Sequence, residues 1–288
     1  MDIAQQRIIT ASLASLKRSV LPQQDMMTYL QNERAKLLFP KNMPLSEILE
    51  SLIASHLLQK IKCRSPGRPN IVRYALPAAN PYEIGLSLRR DSFLSHGTAV
   101  VLHSLADRRG RLIFINYEQT PKPAGDELTQ DSIDTAFSRP QRRSNSLYTD
   151  GKNRFLILNG KFTGKLGVVS VRSPSGQLIQ ATNLERTLID IAVRPGYAGG
   201  AKQVLEAYKR ARNRIDLEVL LHILKELNYK YPYHQALGFY FQRAGFSDTV
   251  CNAFKRFGLE FNFYLEHGIN NRLYDSQWRI FYPKTFPR

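Results

Sequence analysis

The segment Lys60–Leu76, KIKCRSPGRPNIVRYAL, alternates, breaks at Pro66-Gly67-Arg68-Pro69, and alternates again. Period-two alternation is the mark of a half-buried strand, so the spacing predicts a β-hairpin with that break as its tip. Lys60, Lys62 and Arg64 then fall on one face of the first strand, and Ile61 and Cys63 on the other. Two helical stretches precede it. Met43–Leu58 (MPLSEILESLIASHLL) repeats Leu45, Ile48, Leu49, Leu52, Ile53 and Leu57 at helical spacing. Pro44 stands at its first turn, where a missing N–H costs nothing. Gln24–Phe39 (QDMMTYLQNERAKLLF) sets Met27, Leu30 and Leu37 on one stripe and stops at Pro40. Helices followed at once by a two-stranded hairpin is the order of a winged helix-turn-helix.

The remainder of the chain bounds what such a unit could do. It has 288 residues, 43% hydrophobic, with a formal net charge of +17. That excess favours a polyanionic partner. Residues 1–76 hold 11 basic and 5 acidic residues, and residues 77–288 hold 30 and 19, so the charge is spread over both parts. Its densest run, residues 138–172, carries Arg139, Arg142, Arg143, Lys152, Arg154, Lys161, Lys165 and Arg172 against Asp150 alone. No run of 18 apolar residues predicts a bilayer span, and the first residues lack the apolar core of a secretory signal. Two cysteines, Cys63 and Cys251, suit a reducing cytoplasm and exclude a cysteine-rich zinc site. A cytoplasmic location is expected.

If the hairpin is a wing, Arg68 at its tip can enter a minor groove, while Lys60, Lys62, Arg64 and Arg73 line phosphates. The preceding helix would then present Ser46, Ser51 and Ser55 to a DNA duplex, with Glu47 and Glu50 turned away because acids repel phosphate. The plain alternative is a basic hairpin with a solvated face.

Beyond Leu76 the segment LPAANPYEIG, with two prolines, reads as a linker. Ser92–Leu105 reads as a helix, and residues 111–117, 154–159 and 166–172 as strands, with a short helix near Asp131–Phe137. Thr182 and Glu185 have capping-box spacing at the start of a helix burying Leu184, Leu188 and Ile191. Further helical stretches follow, the first burying Val204, Leu205, Tyr208 and Ala211, and two strands close the chain. The expected class is α+β: a winged helix-turn-helix over residues 1–76 and a mixed α/β domain over 77–288.

Several catalytic patterns fall short. GKFTGKLG (Gly160–Gly167) lacks the spacing of a phosphate loop and reads as a basic turn. His96 and His103 are seven apart, too far for a helical metal pair, and each reads as a satisfied helix histidine. Asp131, Asp134, Glu185 and Asp190 could supply a nuclease-type metal site, but Glu185 and Asp190 fall on different sides of one helix. No metal, cofactor or catalytic residue is expected. A metal-dependent nuclease and a basic protein-interaction module are the rival readings.

Three stretches, SHGTAVVLHSL (Ser95–Leu105), LTQDSIDTAFSRPQRRS (Leu128–Ser144) and TNLERTLIDIAVRPGYAGGAKQVLEAYKRA (Thr182–Ala211), resemble the AbiEi-type antitoxins, transcriptional regulators of type IV toxin–antitoxin and phage-defence loci. The resemblance covers roughly Ser92 to the C-terminus. It implies an N-terminal winged helix that represses its own operon by binding operator DNA. It also implies a C-terminal antitoxin domain that counters a nucleotidyltransferase-like toxin without a stable complex, and no enzyme activity. Arg186, Asp190, Arg194 and Gly199-Gly200 match the family pattern. Arg139, Arg142, Arg143, Lys161 and Lys165 are candidates for a second nucleic-acid surface, against the alternative of solvated loops.

Overall fold

The structure, a computed structural model, describes residues 1–107, 111–121, 127–173 and 175–287. Its first elements are α1 (Ile3–Ala14), β1 (Val20–Pro22), α2 (Gln23–Glu33), α3 (Leu45–Ala54), β2 (Gln59–Ser65) and β3 (Arg68–Ala75). β3 lies between β1 and β2 and is antiparallel to both. Ile48, Leu49 and Leu52 of α3 close on Met26 and Leu30 of α2, Ile9 and Leu13 of α1, and Tyr74 of β3. Each such fully buried side chain contributes roughly 1.5–3 kcal/mol of transfer free energy. The α2 stripe ends sooner than its apolar spacing predicts. After Glu33 the chain turns, Leu38 takes φ 59°, and Arg34 ties the turn by donating to the carbonyls of Lys41 and Met43.

Hairpin register differs from the expected four-residue tip. Ser65 pairs with Arg68, so Pro66-Gly67 alone makes the turn, with Gly67 at φ 67°. Such a two-residue loop favours glycine at positive φ. Arg68 therefore begins β3. The pairs Lys60–Tyr74 and Lys62–Val72 put the lysines on the face that covers the helices, while Cys63–Ile71 and Ile61–Arg73 face a second core.

The chain continues through α4 (Pro81–Ser87), β4 (Phe93–Leu94), α5 (His96–Leu102), β5 (Leu112–Glu118), α6 (Gln130–Ser138), β6 (Leu147–Thr149), β7 (Arg154–Gly160), β8 (Val168–Arg172) and β9 (Leu178–Thr182). Then follow α7 (Leu184–Val193), a single 3-10 turn at Pro195–Tyr197, α8 (Ala201–Ala211), α9 (Leu217–Leu227), α10 (Tyr233–Arg243) and α11 (Asp248–Lys255). β10 (Phe263–Tyr264), β11 (Arg272–Asp275) and β12 (Ile280–Pro283) end it. The first nine strands form one mixed sheet in the order β1-β3-β2-β6-β7-β5-β4-β9-β8, with β5/β7 and β4/β9 parallel; the last three form β10-β12-β11. The class is α+β.

Two expectations change here. LPAANPYEIG is no open linker: Asn80 and Glu83 form a reciprocal capping box, Pro81 takes the first helical position, and α4 follows. Phe93-Leu94, expected inside a helix, is instead a strand held by Asn116, Ile115 and Ala181. The sheet also runs across the boundary at Leu76, because Arg64 of β2 pairs with Thr149 of β6. Around α7–α11 lies the largest core, built on Tyr208, Tyr240, Phe241 and Trp278. Gly238 is required there, since a Cβ at that position would stand 2.1 Å from the Trp278 ring. Among the described residues no helix is long and apolar enough to cross a membrane.

Candidate functional site

Parallel β5 and β7 end side by side at Glu118 and Gly160. Beyond that end, α7 and the 3-10 turn close over a cleft of about 650 Å³. Among the described residues, six cationic side chains line it: Arg68 from the hairpin, Arg142 and Arg143 from the segment before β6, Lys161 after β7, and Arg186 and Arg194 from α7 and its end. Asp190 is the one carboxylate among the described lining residues.

Helical geometry explains the pair at its base. Arg186 and Asp190 are four apart on α7 and so share a face. Arg186 Nε donates to Asp190 Oδ1 at 2.8 Å, and Nη1 donates to the Leu166 carbonyl at 2.7 Å. Their side chains are only 4% and 5% exposed. Burial opposes the Arg186 cation, but Asp190, with Tyr229 and Glu118, outweighs it and holds the guanidinium above its ordinary range. Burial likewise raises the Tyr229 hydroxyl. Gly167, at φ 70°, lets the turn before β8 approach, since a Cβ there would lie 2.8 Å from Arg186 Cβ.

Among the described residues, two buried acceptors in this lining have no partner: Asp190 Oδ2 and Asn116 Oδ1. Gly160 leaves room for the Asn116 amide, because its Cβ would stand 2.7 Å from Oδ1. His96, at φ 49°, is buried beside them and meets Ser95 Oγ through Nδ1 at 2.8 Å. Burial pushes its imidazole down to about 4; Asp190 pulls it up, and Arg194 and Arg186 push it down again. The ring is neutral at physiological pH. It meets the edge of Tyr197 at 5.4 Å, and Tyr197 Oη accepts from the Ser144 amide at 3.0 Å.

Residues expected on the duplex-facing side divide. Lys60, Lys62 and Arg64 form an exposed row on β2. On α3, Ser46 is exposed and Ser51 and Ser55 are half-buried. The acids do not turn away: Glu47 and Glu50 are exposed too, and helical spacing places them between Ser46 and Ser51. Arg68 does not project from a tip; its Nη2 donates to Asn145 Oδ1 at 3.2 Å, toward the cleft. Arg73 lies on the opposite face from the lysines. It clamps β3 to the end of α4, donating to the Ser87 carbonyl from Nε (2.9 Å) and Nη2 (2.7 Å). Burial lowers its pKa, while Cys63 and Asp25 raise it.

The second basic group also divides. Arg139, Arg142 and Arg143 are exposed, and the last two line the cleft. Lys161 Nζ donates to the Leu227 and Asn228 carbonyls at 2.6 and 2.7 Å, where it meets the negative end of α9. Burial lowers its pKa. Lys165 belongs to the turn instead: its amide donates to the Glu118 carboxylate, and its Nζ lies 3.5 Å from Asp91. Arg194 donates to the Arg142 carbonyl at 3.1 Å. The helix cap is Asn183, which accepts from the Arg186 amide, and Glu185 accepts instead from the Asp216 amide. Asn116 is a lining residue that the sequence does not single out, and His96 is one that it offers as a satisfied helix histidine rather than a metal ligand. A lone asparagine inside the apolar run RLIFINY is the available signal for the first. Among the described residues no group of three or more His, Cys, Asp or Glu side chains is placed to hold a metal ion.

No family model matches the chain, and no curated protein matches it. Among solved structures, the crystal structure of RV2827C protein from Mycobacterium tuberculosis is similar, with a TM-score of 0.55 and 12% identity over 98% of this chain and 92% of that one. At that identity the likeness is one of fold alone.

Proposed function

We propose that the protein is a non-enzymatic, double-stranded-DNA-binding transcriptional repressor and the antitoxin of a type IV toxin–antitoxin system. Residues 1–76 are the DNA-binding winged helix and 77–288 the antitoxin domain. The observation that carries the reading is the helix–strand–helix–helix–strand–strand order with β3 between β1 and β2, and an exposed row of Lys60, Lys62 and Arg64 on the first hairpin strand. This is the element order of winged helices. Pairing of β2 with β6 gives the hairpin a fixed position in the larger sheet, so its basic row is held rigid rather than on a free arm. The row neutralises phosphates and sets affinity, and Ser46 and Ser51 on α3 are the groups left to read base edges. Glu47 and Glu50 beside them penalise a non-cognate approach and can accept from cytosine N4. The antitoxin half of the proposal rests on the sequence resemblance over Ser92 to the C-terminus. It acts on a cognate nucleotidyltransferase-like toxin without forming a stable complex. Footprinting on the duplex upstream of the coding region tests the DNA reading: a protected inverted repeat supports it, and uniform coverage with no protected site overturns it. Co-expression with the adjacent gene tests the other half: growth rescue without co-purification is the expected result.

A further inference from the structure

We propose that the cleft between α7 and the ends of β5 and β7 is a binding site for a phosphorylated nucleoside, a function separate from duplex recognition. Its volume, about 650 Å³, lies in the range of small-ligand sites and is far too small to admit a duplex. Two kinds of recognition converge in it. Arg142, Arg143 and Arg194 line it, Arg194 donating to the Arg142 carbonyl at 3.1 Å, and suit a phosphate, since guanidinium forks match phosphate oxygens. The same cleft holds acceptors awaiting donors: Asp190 Oδ2 and Asn116 Oδ1 are buried, line it, and have no hydrogen-bond partner among the described residues. Both residues are 4% exposed. Buried acceptors left unpaired are costly, and a sugar hydroxyl together with a base amino group would satisfy the two of them. An anion alone would leave both orphaned, and a neutral polyol would leave the arginines unmatched. A phosphorylated nucleoside answers both. Neutral His96 adds no further charge beside the acceptors.

The shared chemistry has two sources, a free mononucleotide or the 5′-phosphorylated end of a single strand. Isothermal titration of the full chain separates them. The probes are the four ribonucleoside 5′-monophosphates, inorganic phosphate, ribose 5-phosphate, and a single-stranded hexanucleotide with and without its 5′-phosphate. At least one monophosphate or the phosphorylated hexanucleotide is expected to bind ten or more times tighter than inorganic phosphate. Arg143→Ala, at an exposed position, should weaken that binding about tenfold, while Arg172→Ala, basic and outside the cleft, should leave it unchanged. Asn116→Ala should narrow the gap between the nucleotide and inorganic phosphate. Tighter binding of the phosphorylated hexanucleotide than of its unphosphorylated twin identifies a strand end; binding of monophosphates alone identifies a free nucleotide. The proposal is overturned if no nucleotide binds, if inorganic phosphate or ribose 5-phosphate binds as tightly, or if Arg172→Ala weakens binding as much as Arg143→Ala. Loss of duplex binding by unrelated hairpin variants leaves this result untouched, so the two readings fail separately.

Discussion

Replacing Asp190 with leucine removes the carboxylate that accepts from Arg186 Nε at 2.8 Å and leaves a guanidinium almost without solvent. Breaking a buried pair by deleting one partner costs about 3–5 kcal/mol, mostly the penalty of the stranded charge. Here Arg186 keeps the Leu166 carbonyl at 2.7 Å, which places the expected cost at the lower end, about 3 kcal/mol. That is a large part of a typical stability of about 5–15 kcal/mol. At roughly 2–4 °C per kcal/mol for a chain of this size, the melting temperature should fall by about 6–12 °C. Scanning calorimetry and urea unfolding followed by circular dichroism give the two measurements. The double variant Arg186→Met with Asp190→Leu should recover most of the loss, because an apolar pair of similar volume carries no desolvation penalty. A loss under about 1 kcal/mol for Asp190→Leu, or a double variant as unstable as the two singles added, refutes the buried-charge argument.

Stability should also depend on pH through His96. Its imidazole lies at about 4 when folded, against 6.5 ordinarily, so the unfolded chain takes up the proton first as pH falls. Its contribution is intact above about pH 6.5 and is lost between 6.5 and 4, a difference of about 3 kcal/mol, and His96→Gln should flatten that part of a stability-against-pH curve. His234 and His267, also lowered by burial, keep their own loss of the same sign in both proteins, so the difference between the curves isolates His96. Gly238→Ala drives a methyl into the Trp278 ring; overpacking of this kind costs about 1–3 kcal/mol. The chain's single tryptophan should report it as a red-shifted fluorescence emission, and an unchanged spectrum with unchanged stability would contradict the packing described for that core.

How much of the fold is legible in the sequence follows the range of the interactions. The stripe Ile48, Leu49, Leu52 and the later stripe Val204, Leu205, Tyr208, Ala211 are readable because helix periodicity is local, and all seven are buried. Both hairpin strands are readable for the same reason, but the turn is not, because Ser65–Arg68 pairing is decided by register. Phe93-Leu94 looks helical by pattern and becomes a strand through partners at Ile115, Asn116 and Ala181, a distant pairing that overrides local preference. Thr182 meets the capping-box spacing, yet its hydroxyl bonds Thr187, and Asn183 takes the cap one residue later. At the cleft, Arg142, Arg143, Lys161, Arg186, Asp190 and Arg194 can all be singled out from sequence. Their convergence cannot, because it depends on β7 and β5 lying parallel across a long crossover and on β6 bridging to the hairpin. Arg73 shows the limit in the other direction: its charge is visible, but not that the pleat turns it inward to Ser87.

The most direct test of duplex binding through the N-terminal unit is a salt-series titration of the full chain on its own upstream duplex. It should be run beside the triple variant Lys60→Ala, Lys62→Ala, Arg64→Ala. Each phosphate that the variant no longer neutralises should reduce the slope of log affinity against log salt by about 0.9, so its slope should be shallower by roughly 2–3 and its affinity lower at every salt concentration. An unchanged slope and affinity would contradict the assignment of that row to a DNA-binding face.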